Sequence, residues 1–508
     1  MGVLFRDVLR WDREAPDGWT GPVDVRVAGP TIAAVGRPGE RLQAAPGDRV
    51  VEAAGRRLLV PGLVNAHFHS PANHLKASVP SLPLELFMLF ESPADPALTP
   101  SPREAYLRTL IGAVEMLQNG VTSVQDDAFL MPGPDPEIID AVAQAYLDAG
   151  QRATLALDQP ELTEAEKLPF VARLRADLGP RAGLLDQPAP VPAPQLLEAY
   201  DHLITRWHRA GDDRLRAAVS VSAPQRVSPD YFAALDDLAT THGLPLFAHL
   251  LETKPQRTLI TEQPRFGGRS LVGWTHHLGL LRPHTNVIHA VWVDENDLAL
   301  IADAGATIAH NPVSNLRLGS GVMPWRAVHR AGVPVALGTD EAICDDAVNL
   351  WPVVKTAGLV HNITGADPGD WPTPAEILDA VWTGGARAQR RAGELGAVEP
   401  GMLADLALLD LDRVAFTPFN DLREQLVHCE DGRDVVLTMV GGQVVAEHGR
   451  VTTVDQDAVL AEARELFARR RATVQQARRD AEELVPAYRR MVASAAATDV
   501  GFTRWVGR

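Results

Sequence analysis

Two histidines, His67 and His69, stand one residue apart at the end of the apolar run "VPGLVNAHFHS". On an extended strand alternate side chains share a face, so both imidazoles can reach one point. A lone H-x-H is more often a surface pair or two hydrogen-bonded core histidines, so the pair gains meaning only from what else arrives beside it. "LFAHLLE" contributes His249, "NVIHAVWV" His289 and "VALGTD" Asp340, each close to the end of a separate apolar run. Neutral imidazoles and a carboxylate suit a borderline divalent ion such as Zn²⁺, and three histidines with one aspartate leave a coordination position for water. That donor set is the chemistry of metal-assisted hydrolysis. Glu252 follows His249 by three residues, the wrong parity for the same inward face. It is expected just beyond the strand end, over the metal, where a carboxylate can carry protons between water and substrate. Two weaker signals carry no chemistry: "GSG" at 319–321 is too short for a phosphate loop, and Cys344 reads as a small buried residue.

Positioning these groups requires several parallel strands. After Pro61 short apolar runs alternate with helical segments, the pattern of βα units. The clearest helix is 104–118, with Leu107, Leu110, Ile111, Val114 and Leu117 at helical spacing, Pro102 ahead and Gly120 behind. "LLVPGLVNAHFH", "VTSVQD", "RATLALD", "LRAAVSVSAP", "LPLFAHL", "TNVIHAVWV", "ATIAHNP" and "VPVALGTD" are the strand candidates. They fit an α/β fold, a (β/α)8 TIM-like barrel with its site at the C-terminal strand ends; a doubly wound open sheet is the main rival. β character also marks residues 1–58 and returns over 393–452, where "DVVLTMVGGQVVAEHGRV" reads as a hairpin turning at Gly441 and Gly442. A small antiparallel sheet built from both chain ends is expected to flank a barrel at 59–392. Residues 453–508, rich in Ala, Glu and Arg with no broad apolar face, read as an appended helical tail. "DQPAPVPAPQ", 186–195, reads as a loop.

Composition excludes other classes. The chain has 508 residues, 46% hydrophobic and 22% charged, which suits a globular protein with a sizeable core. Its formal charge of −17 repels a polyanion, and no basic run is interleaved with aromatics, so nucleic acid is not an expected partner. No apolar run reaches a membrane span of ~18 residues and the start lacks a signal peptide's apolar stretch, so a cytoplasmic location is expected. Two cysteines give neither a disulfide framework nor a thiolate metal cluster.

The chain resembles the amidohydrolase superfamily, in particular the metal-dependent deaminase and chlorohydrolase branch that includes guanine deaminase, adenosylhomocysteine deaminase and the triazine hydrolases. "PGLVNAHFH", "NGVTSVQD", "HLLE", "IHAVWVDENDL", "AHNPVSNLRLGSG", "GVPVALGTD" and "GELGAVEPGMLADLALLDLD" carry the likeness, over roughly residues 20–450. The resemblance implies that His67, His69, His249 and Asp340 bind one divalent metal per chain, Zn²⁺ or Fe²⁺. It also implies that His289 orients and polarises the attacking water and that Glu252 shuttles protons. The strand 4 segment "RAAVSVSAP" holds no lysine for a carboxylated bridge, which implies a mononuclear site. A small-molecule substrate, a homo-oligomer and a β-sandwich built from both chain ends beside the barrel are implied too. The chain departs from its relatives at Glu341, Cys344, Asp345 and Asp346 and carries Trp292 after His289. Trp292, Glu341, Asp345 and Gln225 are the candidate substrate contacts. The expected reaction is hydrolytic deamination of an amino-substituted N-heterocycle or a guanidino compound. Cyclic amide or C–Cl hydrolysis would use the same parts, and a non-catalytic metal-stabilised binding protein is the rival of another class. Retention of both Glu252 and His289 favours the enzyme. The carboxylates after Asp340 point to a neutral or cationic substrate over a polyanionic one.

Overall fold

The alternation of apolar runs with helices closes into a barrel. A computed structural model describes residues 2–91, 96–345 and 347–507. Leu63–Phe68 (β6), Val121–Ala128 (β7), Arg152–Leu157 (β8) and Leu215–Ala217 (β9) form one parallel run. Val219–Ser220 (β10), Leu246–Leu250 (β11), Thr285–His289 (β12), Thr307–His310 (β13) and Val335–Leu337 (β14) form the other. β9 and β10 are halves of a single strand: Ala218 between them donates to Leu155 O, and the chain changes partner there from β8 to β11. At the other seam Asp340 N donates to His67 O, and Phe68 bridges Asp340 in parallel register. The barrel is therefore closed, which removes the open-sheet alternative. Small side chains, Ala66, Ala156, Ala218, Ala309 and Ala336, fill its interior together with Phe247 and Ile288.

Strands from both chain ends share one sheet. Val3–Trp11 (β1), Trp19–Ala28 (β2), Thr31–Val35 (β3), Arg49–Glu52 (β4) and Arg57–Pro61 (β5) come from the start. Leu406–Asp410 (β15), Val435–Val440 (β16), Gln443–Glu447 (β17) and Arg450–Val451 (β18) come from beyond the barrel. The halves join where β15 pairs antiparallel with β5, Leu406 opposite Pro61. The sheet thus extends to Pro61, a few residues past the expected boundary at 58. At Gly62 the chain passes into the barrel so closely that a Cβ would lie 2.1 Å from Thr122 Oγ1. Gly441 (φ 54°) and Gly442 (φ 77°) form the two-residue turn between β16 and β17, as the sequence indicates. The sheet is fastened to the barrel by a buried ion pair, Arg152 Nε to Asp405 Oδ2 at 2.7 Å and Nη2 to Oδ1 at 2.9 Å.

The expected helix at 104–118 spans Pro102–Gln118, and its Ser101 cap accepts from Glu104 N. The segment expected as a loop through 195 is already helical from Ala193, with Pro194 in the first turn, where a missing N–H costs nothing. The tail forms two helices, Gln456–Glu482 and Val485–Ala497. The first buries only Val459, Ala463, Ala477 and Ala481. The second buries Ala487, Tyr488, Met491 and Ala495 against Leu86, Leu174, Leu178 and Leu185 of the chain's own barrel loops. No helix of the described residues is long and apolar enough to cross a membrane.

Candidate metal centre

The C-terminal ends of the barrel strands bring the histidines together. His67 lies in β6 and His69 one residue past its end, and their Nε2 atoms are 3.1 Å apart. Asp340 Oδ1 lies 3.3 Å from His67 Nε2 and 3.5 Å from His69 Nε2. His249 and His289 occupy neighbouring strands, with ring centroids 4.9 and 5.7 Å from that of His67. All five side chains are buried. Three overlapping sets of ligand atoms lie within 4.8 Å of one another: His67, His69 and Asp340; His67, His249 and His289; His69, Asp158 and His249.

Hydrogen bonds behind the ligands fix which nitrogen faces the centre. His249 Nδ1 donates to Ser222 O at 2.7 Å and His69 Nδ1 donates to Asp127 O, so each turns an Nε2 lone pair inward. Burial pushes the His67 pKa down to about 3 and that of His249 well below the ordinary value, which keeps both neutral near pH 7. Neutral imidazole is the metal-binding form. Lone pairs on several nitrogens and a carboxylate therefore converge on one point, an arrangement that is unfavourable without a cation between them. The donor set fits a divalent ion.

His289 and Glu252 sit beside that set. His289 Nδ1 donates to Asn315 Oδ1 at 3.0 Å, which leaves Nε2 as an acceptor 3.6 Å from Glu252 Oε2 and 3.9 Å from Asp340 Oδ2. Ser314 Oγ donates to Asp340 Oδ2 at 2.6 Å. Glu252 lies two residues beyond β11 because Leu251 takes a left-handed conformation (φ 53°) that turns the chain over the site. Burial, and then the nearby Asp340, push the Glu252 carboxyl well above its usual range, so it can hold a proton near neutral pH. Ser222, His289, Ala290 and Asp340 are left-handed as well. Such non-glycine residues cost about 1–3 kcal/mol each and persist only where surrounding contacts over-determine them. Their gathering at these strand ends marks the site independently of residue type.

The candidate substrate contacts fall in different surroundings. Gln225 is buried on a short turn after β10, its Oε1 without a hydrogen-bond partner among the described residues. Trp292 is fully buried, with Nε1 donating to Ser320 O and its ring beside Trp505, Phe502 and Lys254. Those contacts make it packing between barrel and tail. Glu341, a candidate substrate contact, is buried and hydrogen-bonded to Glu91, and burial and Glu91 together raise it well above the usual carboxyl range. Two buried carboxyls so placed share a proton. Asp345 is partly buried, and Asp346 lies outside the described residues.

Several residues at the site carried no signal that sequence reasoning used. Asp158 ends "RATLALD" and Asp127 ends "VTSVQDD", the same apolar-run-then-aspartate signature that singled out Asp340. Asp158 Oδ2 approaches His69 Nδ1 at 3.9 Å, and Asp127 Oδ2 approaches His249 Nδ1 at 3.9 Å. Glu85 and Glu91, on the helix Leu84–Glu91 that follows β6, bring further carboxylates over the mouth, and Glu85 Oε1 accepts from Thr253 Oγ1 beside Glu252. A cavity of about 70 Å³ opens beside His69 and Glu91, lined also by Phe129, Met131 and the tail residues Arg470 and Val474.

The closed barrel, with imidazoles and a carboxylate gathered at its strand ends, has the architecture of a barrel-class hydrolase with a candidate divalent-metal site. The chain belongs to the amidohydrolase family, whose model matches residues 58–445. It is 32% identical over 442 residues to a 5-methylthioadenosine/S-adenosylhomocysteine deaminase of Nitratidesulfovibrio vulgaris, covering 87% of this chain and 91% of that one. A 5'-deoxyadenosine deaminase of Methanosarcina mazei is 29% identical over 417 residues, covering 81% and 87%. Among solved structures, a triazine hydrolase from Arthobacter aurescens shares the fold with TM-score 0.80 at 24% identity, covering 92% of this chain and 99% of that one. An adenosine deaminase from Xanthomonas campestris with bound zinc shares it with TM-score 0.78 at 24% identity, covering 92% and 98%. Membership makes the protein a hydrolase acting on carbon–nitrogen bonds.

Proposed function

We propose that the protein is an aminohydrolase that uses one divalent ion per chain, zinc in preference to iron, to release ammonia from a small amino-substituted N-heterocycle. The observation that carries the reading is the approach of Glu252 to His289, at 3.6 Å, beside converging ligand lone pairs. A purely structural metal site needs neither group. His67, His69, His249 and Asp340 would hold the ion. When bound, it supplies Lewis acidity and lowers the pKa of adjacent water toward roughly 7.

The chain's own groups do the remaining work. His289, its tautomer set by Asn315, aligns water through Nε2. Glu252 takes a proton from that water and delivers it to a ring nitrogen, which makes the neighbouring carbon electrophilic. Water oxygen adds at that carbon, Glu252 takes the remaining proton of the added hydroxyl and passes it to the amino group, and the C–N bond breaks to give an oxo-heterocycle and ammonia. The deaminase relatives support the leaving group. Gln225, with a buried unpaired carbonyl oxygen, suits a donor on the heterocycle, and the acidic loop after Asp340, with Asp345, favours a neutral or cationic substrate over a phosphorylated one. A homo-oligomer is part of the same reading.

The test is ammonia release across amino-purines, pterins, triazines, creatinine and guanidino compounds, with phosphorylated counterparts included. Turnover of an amino-heterocycle is expected. Faster turnover of a phosphorylated counterpart would overturn the charge preference, and metal-loaded protein that turns over nothing in the panel would overturn the reaction.

A further inference from the structure

His289 is followed by a second left-handed residue, Ala290 (φ 50°), and the chain then runs through the buried residues Val291, Trp292 and Val293. Backbone contacts to this stretch come from strand ends next door, Ala290 N to Leu250 O and Trp292 N to Leu251 O, and Trp292 Nε1 donates to Ser320 O. Two more come from the far end of the tail. Arg504 donates from Nε to Val291 O at 3.0 Å and from Nη2 to Val293 O at 2.5 Å. Its guanidinium lies 4.6 Å from the Phe502 ring centroid, which helps to fix its plane.

The same residue reaches the neighbouring loop. Arg504 O accepts from Val322 N at 2.9 Å, and Trp505 Nε1 donates to Gly319 O at 2.9 Å. Ser320, between them, donates its N–H to Asn315 O, and Asn315 Oδ1 accepts from His289 Nδ1. The "GSG" at 319–321, which has no phosphate role, thereby acquires one. At Gly321 (φ 125°) a Cβ would lie 2.8 Å from Arg504 O, so only glycine lets the tail approach this closely. On the side of Glu252, Lys254 Nζ donates to Ala496 O at 2.8 Å.

We propose that Arg504 is a positioning residue for His289: it pins the strained chain after His289 and the loop bearing Asn315, so the tail is a working part of the active site. The inference rests on the catalytic role of His289 proposed above. The metal ligands are held by other groups, Ser222, Asp127 and Ser314, so the effect should fall on alignment and not on metal binding.

The experiment compares full-length Arg504→Ala, Arg504→Lys and Gly321→Ala with the parent, reading metal content, kcat, KM and amide exchange over 289–293 and 315–322. Arg504→Ala should keep its metal, lose roughly 10–100-fold in kcat with little change in KM, and exchange faster in both segments. Arg504→Lys should recover part of kcat, because an ammonium can still reach one carbonyl. Gly321→Ala should reproduce the loss with Arg504 intact, which separates lost alignment from lost folding. Unchanged exchange in Arg504→Ala would overturn the inference whatever the substrate. So would a kcat loss matched by equal losses of metal and folded protein and not relieved by lysine. A parent chain without turnover would refute the reaction above and leave the exchange comparison to decide this point.

Discussion

Replacing Glu252 by glutamine keeps the shape of the side chain and removes its ability to carry a proton. The site makes this substitution informative. Glu252 is only 3% exposed, its backbone N–H is held by Gln256 Oε1 at 2.9 Å, and its carboxyl stands 3.6 Å from His289 Nε2, so an amide can occupy the same space without disturbing the fold. Positioned general acid–base groups contribute about 10²–10⁴ in rate, equivalent to about 2.7–5.4 kcal/mol of barrier. A loss in that range is expected in kcat for ammonia release at saturating substrate, with metal content and melting temperature close to those of the parent. Parental turnover by Glu252→Gln would refute the shuttle. Loss of metal together with activity would show instead that Glu252 is a ligand.

Asp405→Ala strands the buried Arg152 guanidinium between sheet and barrel. Breaking such a pair costs about 3–5 kcal/mol, so denaturant unfolding should register a loss of that order, and a loss below about 1 kcal/mol would contradict the fastening role. His361 is buried and its pKa is pushed down to about 3, from 6.5, by burial. The unfolded chain therefore binds more protons between those values, and the contribution to stability present above 6.5 is lost as the pH falls through that window. His361→Asn should flatten the fall in melting temperature on acidification, and an unchanged slope would count against it. Ending the chain at 455 removes the tail helices and the bonds of Arg478 to Ser78. It should alter solubility or oligomeric state before metal binding, and unaltered mass and stability would sink that expectation.

Much of the site was legible because it is written as a local pattern. His249, His289 and Asp340 each close an apolar strand, and the parity of Glu252 placed it beyond β11, where the left-handed Leu251 indeed turns the chain. The joining of both chain ends in one sheet followed from the return of β character after the barrel. What was not legible depends on segments distant in sequence. Glu341 carried no sign of its partner Glu91, which reaches it from the helix of another loop. Trp292 looked like a pocket residue until Phe502 and Trp505 covered it. A narrow alanine face on the tail gives no sign of which surface it covers, so the route of Arg504 to the carbonyls of Val291 and Val293 appears only in three dimensions. Asp127 and Asp158 carried a usable signal, an aspartate ending an apolar run, but no residue count distinguishes a ligand from the carboxylate behind it.

In the proposed reaction His67, His69, His249 and Asp340 hold an ion on which hydrolysis depends. Elemental analysis of the purified chain and of His249→Ala, paired with ammonia release before and after chelation and metal restoration, tests it most directly. One divalent ion per parent chain, activity that leaves with the ion and returns with it, and depletion of both in His249→Ala are expected. Two ions per site, full occupancy in His249→Ala, or undiminished turnover by the chelated protein would contradict it.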